Sequence, residues 1–253
     1  MRIIQQAVLP VDNFYNAIYI LLGIIVPIFL PEMLKAYAQS DMGKLKKTLD
    51  LSFKAIFLVV LLPLSVFFVY GEVFFHLWLP TQDAKALHIL SVITLVPFIV
   101  HGTIETVYHV FVITNKLRIA SFWGIFISVF NFVLVILLCL YSSLGIYSIP
   151  VAALISGVLS HLTFTPLYAA YCLQESRWYF FKKIIKGLAG FLVLIAISYG
   201  WKQLDLFTVD NWLKFVLNCF IIGLVLLIVT LFMNFDASTR ADVVRRIRQK
   251  VNI

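Results

Sequence analysis

Apolar positions along this chain come in long unbroken runs, not at the spacing of a half-buried helix or strand. Seven runs, at about 14–34, 51–70, 88–113, 119–141, 149–172, 184–201 and 212–233, approach or exceed the roughly 20 residues a helix needs to cross a hydrocarbon core. Continuous runs favour helices over a β-barrel, whose strands alternate apolar and polar positions. The pattern predicts an all-α integral membrane protein: one membrane domain over 1–253 with about seven transmembrane helices, ending in a basic tail at 234–253.

Composition narrows the classes. Of 253 residues, 62% are hydrophobic and 13% charged, and the mean hydropathy is +1.00. Typical soluble domains are about 45–50% apolar and about 25% charged, and their outer shell must face water. A soluble enzyme, a disordered chain, a disulfide scaffold and a nucleic-acid-binding domain are thereby excluded. The three cysteines, Cys139, Cys172 and Cys219, are dispersed in apolar runs and read as small fillers, with no disulfide or metal spacing. No cofactor is implied.

The net charge of +8 is loop charge. Of the 20 Lys and Arg residues, 16 fall in or beside the links after runs one, three and five and in the tail; only Arg2, Lys85, Lys202 and Lys214 fall on the other side. The positive-inside rule then puts the tail in the cytoplasm and the N-terminus outside, in a cytoplasmic membrane. The first run lacks the small-residue cleavage site of a signal peptide. A chain that starts outside without one is expected to lack a preceding N-terminal half. The basic tail, 240–250, is expected to lie along an anionic leaflet.

The candidate chemistry is what interrupts the apolar runs. Pro27, Pro63, Pro97 and Pro166 each free a carbonyl and kink a helix. His101, Glu105 and His109 recur at i, i+4 and i+8, one stripe on one helix face near mid-membrane. An ionisable group there is costly unless paired or hydrated. The stripe is therefore either the wall of a cavity or ion-coupled site, or a set of hydrogen bonds fastening this helix to a neighbour. A metal is disfavoured, because three ligands on one face do not converge on one ion. Asn131 and His161 are further polar positions inside runs; Asn131 also fits a simple hydrogen bond across helices. Ala152, Ala153, Ser156, Gly157 and Ser160 form a small-residue face suited to close helix packing. Lys54 is placed to snorkel to the interface. Trp78, Trp178, Tyr179, Trp201 and Trp212 sit near run ends as an interfacial belt. The outer links, about 71–87, 142–148 and 202–211, are too short for an external catalytic domain, and no nucleophile–base arrangement or phosphate loop occurs. No enzymatic activity is expected.

One resemblance is carried by several stretches in order. They are Val26-Pro27 with Lys35-Ala36-Tyr37-Ala38 and the 41–47 link; Leu77-Trp78-Leu79; Asn115-Lys116-Leu117-Arg118 with Asn131; Gly145-Ile146-Tyr147 with Val151-Ala152-Ala153; Phe164-Thr165-Pro166-Leu167-Tyr168-Ala169-Ala170; and Trp178-Tyr179-Phe180-Phe181-Lys182. Together they resemble the C-terminal half of polysaccharide flippases of the multidrug/oligosaccharidyl-lipid/polysaccharide exporter superfamily. The resemblance implies a two-lobed alternating-access transporter, of which this chain is one lobe plus the C-terminal helices. It implies flipping of polyprenyl-pyrophosphate-linked oligosaccharide for cell-surface polysaccharide (such as lipopolysaccharide) biosynthesis. The implied partners are the lipid-linked oligosaccharide, membrane lipids, a missing N-terminal lobe and other polysaccharide-assembly proteins. His101, Glu105, His109, Asn131 and His161 are the residues placed to line the cavity or couple an ion. Glu105 would repel a pyrophosphate, so it suits coupling or sugar contact. Two other readings stay open: a membrane polymerase or ligase of the same pathway, which wants a larger outer loop, and a multidrug exporter of the same superfamily. A seven-helix retinal protein is disfavoured, because run seven has no central lysine.

Overall fold

The computed structural model describes residues 2–204 and 209–234, apart from the side chains at 2–10, 12, 14, 98 and 101–104. The described residues are helical, with no strand among them. The tail and the leaflet contact expected for 240–250 lie outside the described residues. In chain order, α1 (Arg2–Ile25) tightens into a 3-10 turn (Val26–Phe29) and continues as α2 (Leu30–Ala38). α3 (Met42–Ile56) widens into a π-turn (Phe57–Leu61) and continues as α4 (Leu62–Trp78). α5 (Ala84–Ile113) and α6 (Leu117–Tyr141) are unbroken. A 3-10 turn (Gly145–Tyr147) leads into α7 (Ser148–Leu159), a second π-turn (Ser160–Phe164) and α8 (Thr165–Cys172). α9 (Trp178–Gln203) and α10 (Trp212–Asn234) complete the set.

Among the described residues, five helical segments are long and apolar enough to cross a membrane: Tyr15–Ala38, Met42–Trp78, Leu117–Tyr141, Gly145–Cys172 and Trp212–Asn234. The chain is thus an all-α protein built for a membrane. The other two expected runs form α5 and α9, of 30 and 26 residues, which are about 45 and 39 Å long at 1.5 Å per residue.

Successive links alternate between two ends of the bundle. At one end, Lys46 Nζ lies 2.5 Å from Glu175 Oε1, and the Tyr168 hydroxyl donates to the Lys116 carbonyl at 3.1 Å. The links after α2, α5 and α8 therefore share this end, which is the basic one. At the other end, the Lys202 ammonium donates to the Val69 carbonyl at 3.2 Å, and the rings of Phe74 and Trp212 meet edge to face 6.0 Å apart. All three basic-end links close in the same way. Ser40, Asn115 and Gln174 have φ of 56°, 53° and 57°. Each is followed by an N–H that bonds back five residues: Asp41 to Ala36, Lys116 to Phe111 and Glu175 to Ala170. This is the Schellman closure, which satisfies orphan carbonyls at a helix end. Asp41 and Asp83 cap the starts of α3 and α5 by accepting from the Lys44 and Ala86 amides at 2.8 and 3.1 Å.

α5 is the central element. Its first half packs into a cluster with α4, α9 and α10 around Leu61, Phe75, Leu95, Phe191 and Ile222. Its second half packs at the basic end around Met33, Leu45, Phe111, Phe180 and Ile184. α6 lies at the periphery: none of its described residues is buried. Its exposed face is large and aliphatic or aromatic, as lipid contact requires.

Candidate functional site

α6 leans on α7 but stands off α5 and α1, and the gap is a cavity of about 680 Å³. Two hydrogen bonds hold the α6–α7 wall. The Trp123 indole N–H donates to Ser160 Oγ at 2.9 Å. Ser156 Oγ lies 3.0 Å from Asn131 Oδ1 and 2.9 Å from the Ala152 carbonyl. One hydroxyl proton serves only one of these acceptors, so a donating hydrogen bond from the Asn131 amide in the flipped orientation would satisfy the pair fully. The facing wall is α5, which contributes Thr94, Pro97, Glu105 and Tyr108, with Tyr15 and Tyr19 of α1 at its side.

The structure brings three of the sequence-derived positions together. Glu105, Asn131 and His161 all line this cavity, from α5, α6 and the second π-turn. His109 is not among the lining residues. Its Nε2 lies 3.1 Å from the Val26 carbonyl in the first 3-10 turn. A carbonyl only accepts, so this nitrogen carries the proton. Four residues of helix rotate a side chain by about 40°, and that is enough to turn His109 from the cavity towards α1. The stripe thus divides: Glu105 faces the cavity, and His109 fastens helices. His101 stands on α5, and its side chain lies outside the described residues.

The small-residue face has a use beyond packing. Ser156, Gly157 and Ser160 line the cavity, and a Cβ built on Gly157 would meet Pro97 Cβ at 3.1 Å. α7 therefore approaches α5 through glycine, and the cavity opens beside that contact. Aliphatic side chains and five aromatic rings, Tyr15, Tyr19, Tyr108, Trp123 and Phe164, line much of the rest, and sequence reasoning missed the rings. Trp123 and Phe164 stack 4.8 Å apart at 15°, Phe164 and Tyr168 at 5.1 Å and 21°, and Tyr168 and Tyr171 at 6.1 Å and 20°. The column runs from the cavity to the basic end, where the Lys116 ammonium sits 4.7 Å from the Tyr171 ring centroid. The available signals were Trp123, a tryptophan inside a run instead of at its edge, and the Tyr15/Tyr19 spacing of four.

A separate ionic cluster ties α3 to α9 at the basic end. Lys183 pairs with Asp50 and Lys46 with Glu175. The Tyr179 ring lies between them, 5.4 and 5.7 Å from the two ammonium groups. Burial, reinforced by the Asp50 and Glu175 carboxylates, pushes the Tyr179 hydroxyl up to about 12. None of these residues lines the cavity, and the cluster reads as a structural tie.

Compared with known proteins, the sequence matches no family model, and neither a curated protein nor a solved structure matches it.

Proposed function

We propose that the chain is a seven-span transporter lobe in a cytoplasmic membrane, with its basic end facing the cytoplasm. In this reading it moves polyprenyl-pyrophosphate-linked oligosaccharide across the bilayer, for cell-surface polysaccharide assembly, in concert with a second lobe. One observation carries the reading: a cavity of about 680 Å³ with Glu105, Asn131, His161 and several hydroxyls on its wall, inside an otherwise apolar helical body. A sugar-diphosphate head group cannot cross hydrocarbon unaided, because unpaired polar groups cost several kcal/mol each. A polar-lined cavity beside lipid removes that cost while the polyprenyl tail stays in the bilayer. Ser128, Asn131 and Ser156 supply donors and acceptors for hydroxyls, and the tyrosines supply amphipathic surface. Glu105 serves as a sugar acceptor or coupling group, since a carboxylate repels diphosphate.

The test is a titration of the protein in nanodiscs with a short-chain polyprenyl-diphosphate disaccharide, followed by tryptophan fluorescence. Trp123 lies on the cavity wall, so saturable quenching is expected that Trp123→Phe removes. Gly157→Leu, whose side chain would press on Pro97 and wedge α7 from α5 beside the cavity, should weaken binding at least tenfold. Binding no tighter than that of the polyprenyl phosphate without sugar would refute the reading. A second reading, export of lipophilic organic cations, is favoured by the pairing of the Glu105 carboxylate with aromatic walls. Tighter binding of tetraphenylphosphonium than of the glycolipid, lost in Glu105→Gln, would select it.

A further inference from the structure

Helix α9 sorts its basic residues into two sets. Lys183 turns inward, to Asp50 and the Tyr179 ring. Arg177, Lys182 and Lys186 are exposed, and among the described residues none of them has a carboxylate, hydrogen-bond or ring partner. Helical geometry explains the split. At about 100° per residue, Lys182 and Lys186 lie about 40° and 80° from Trp178 around the helix, and Lys183 about 140°. The buried residues Phe180, Ile184, Phe191 and Leu194 occupy the opposite side. Trp178 is 64% exposed, and deeper on its face Ile185 and Leu192 are 59% and 65% exposed. One outward stripe therefore starts with an indole, carries unpaired cations over its first two turns and continues as bare aliphatic surface.

We propose that this stripe is a binding site for an anionic phospholipid of the surrounding bilayer. The lipid phosphate lies between Lys182 and Lys186, neighbours at i and i+4, the Trp178 ring sits at the glycerol level, and an acyl chain follows Ile185 and Leu192. Depth supports a single phosphate. Lys186 stands about 12 Å deeper along the helix than Trp178, and its flexible stem snorkels back towards the head groups. Charge complementarity selects an anionic lipid, because a zwitterionic head group brings its own cation and gains little from two more. The aliphatic continuation selects a lipid over a soluble anion, which has no use for it. The site is independent of the cavity and of the transport reading.

Native mass spectrometry of the full chain, released from detergent with phosphatidylglycerol or phosphatidylcholine, tests this. The expected result is preferential retention of phosphatidylglycerol, weakened by added salt. Each neutralised lysine should lower the affinity roughly fivefold, and Lys182→Gln with Lys186→Gln about thirtyfold, at about 1 kcal/mol per basic residue near an anionic surface. The pair Lys182→Arg and Lys186→Arg should retain binding. Equal retention of both lipids by the unaltered chain overturns the proposal, as does a double Gln variant that holds phosphatidylglycerol undiminished. Glycerol phosphate competing as well as the intact lipid also overturns it, by showing a soluble-anion site. Should the double Gln variant fail to fold, the lipid preference and salt dependence of the unaltered chain decide the matter alone.

Discussion

At Gly190, α9 lies against Phe57 of the first π-turn, and the geometry fixes what a single methyl group does there. A Cβ at Gly190 would lie 2.9 Å from both Cε2 and Cζ of Phe57 and 3.5 Å from Met233 Cε. Favourable carbon–carbon separations are about 3.5–4.0 Å, so one of the two helices or the ring must shift. The ring cannot simply swing away, because Phe57 is 5% exposed and belongs to the main core cluster. Overpacking of this kind costs about 1–3 kcal/mol, while alanine in place of a helical glycine returns up to about 1 kcal/mol. Gly190→Ala should therefore destabilise by about 1–2 kcal/mol net, or roughly 2–4 °C for a chain of this size. Gly200→Ala is the control. It lies on the same helix, has nothing within 4 Å of its would-be Cβ, and should be neutral or slightly stabilising. Thermal unfolding in one detergent compares the two. Adding Phe57→Leu to Gly190→Ala should recover at least about 1 kcal/mol relative to the sum of the single changes, as expected for residues in contact. The packing argument fails if the two alanine variants melt alike, or if the double variant is additive within about 0.5 kcal/mol.

The remaining predictions concern turns, a helix tie and a titration. Ser40→Gly and Gln174→Gly should each stabilise by about 1 kcal/mol, because both residues hold a left-handed conformation that costs an L side chain about 1–2 kcal/mol; Asn115→Gly should gain less, since asparagine tolerates it, and melting temperatures check all three. His109→Phe strips the donor from the Val26 carbonyl and should cost about 1–3 kcal/mol, with faster amide exchange near 26–30, whereas His109→Gln should recover most of the loss. Tyr179, pushed up to about 12 by burial and two carboxylates, should be absent from the phenolate absorbance titration below pH 11. Its folded form holds the proton more tightly than the unfolded form, so the stability it contributes is present below pH 10 and lost as pH rises to about 12. Asp50→Asn should lower that titration, and Tyr179→Phe should remove that high-pH loss.

Much of the architecture was legible because hydrocarbon imposes a simple rule: backbone groups must be satisfied within the helix, so apolar length reads directly as helix. The alternation of basic and non-basic links was legible for the same reason, since each crossing changes ends. The helix stops were not. Ser40, Asn115 and Gln174 all take the position that usually announces itself as glycine, and the closing bonds that fix them are made by backbone alone. Nor did the prolines reveal their fates. Pro63 and Pro166 would each clash with the carbonyl four residues earlier, on Val59 and Leu162. Both of those residues lie in π-turns, where the wider winding moves the carbonyl off the ring. Pro97 obeys the same chemistry yet sits in an unbroken α5, packed against the bare face of Gly157.

These differences decide the candidate site. The second π-turn carries His161, and its widened winding precedes Pro166, so a proline that sequence marks only as a kink stands just beyond the turn that holds a cavity-lining histidine. Pro97 and Gly157 set how closely α5 and α7 meet, and hence how wide the space beside them is. Asn131 then serves both readings that sequence left open for it, bonding across helices to Ser156 while facing the same space. A periodicity argument can place Glu105 and His109 on one face, but a 40° step separates a cavity wall from a helix junction. What each side chain meets on the neighbouring helix decides between them, and for His109 that neighbour is the Val26 carbonyl in the 3-10 turn that carries Pro27.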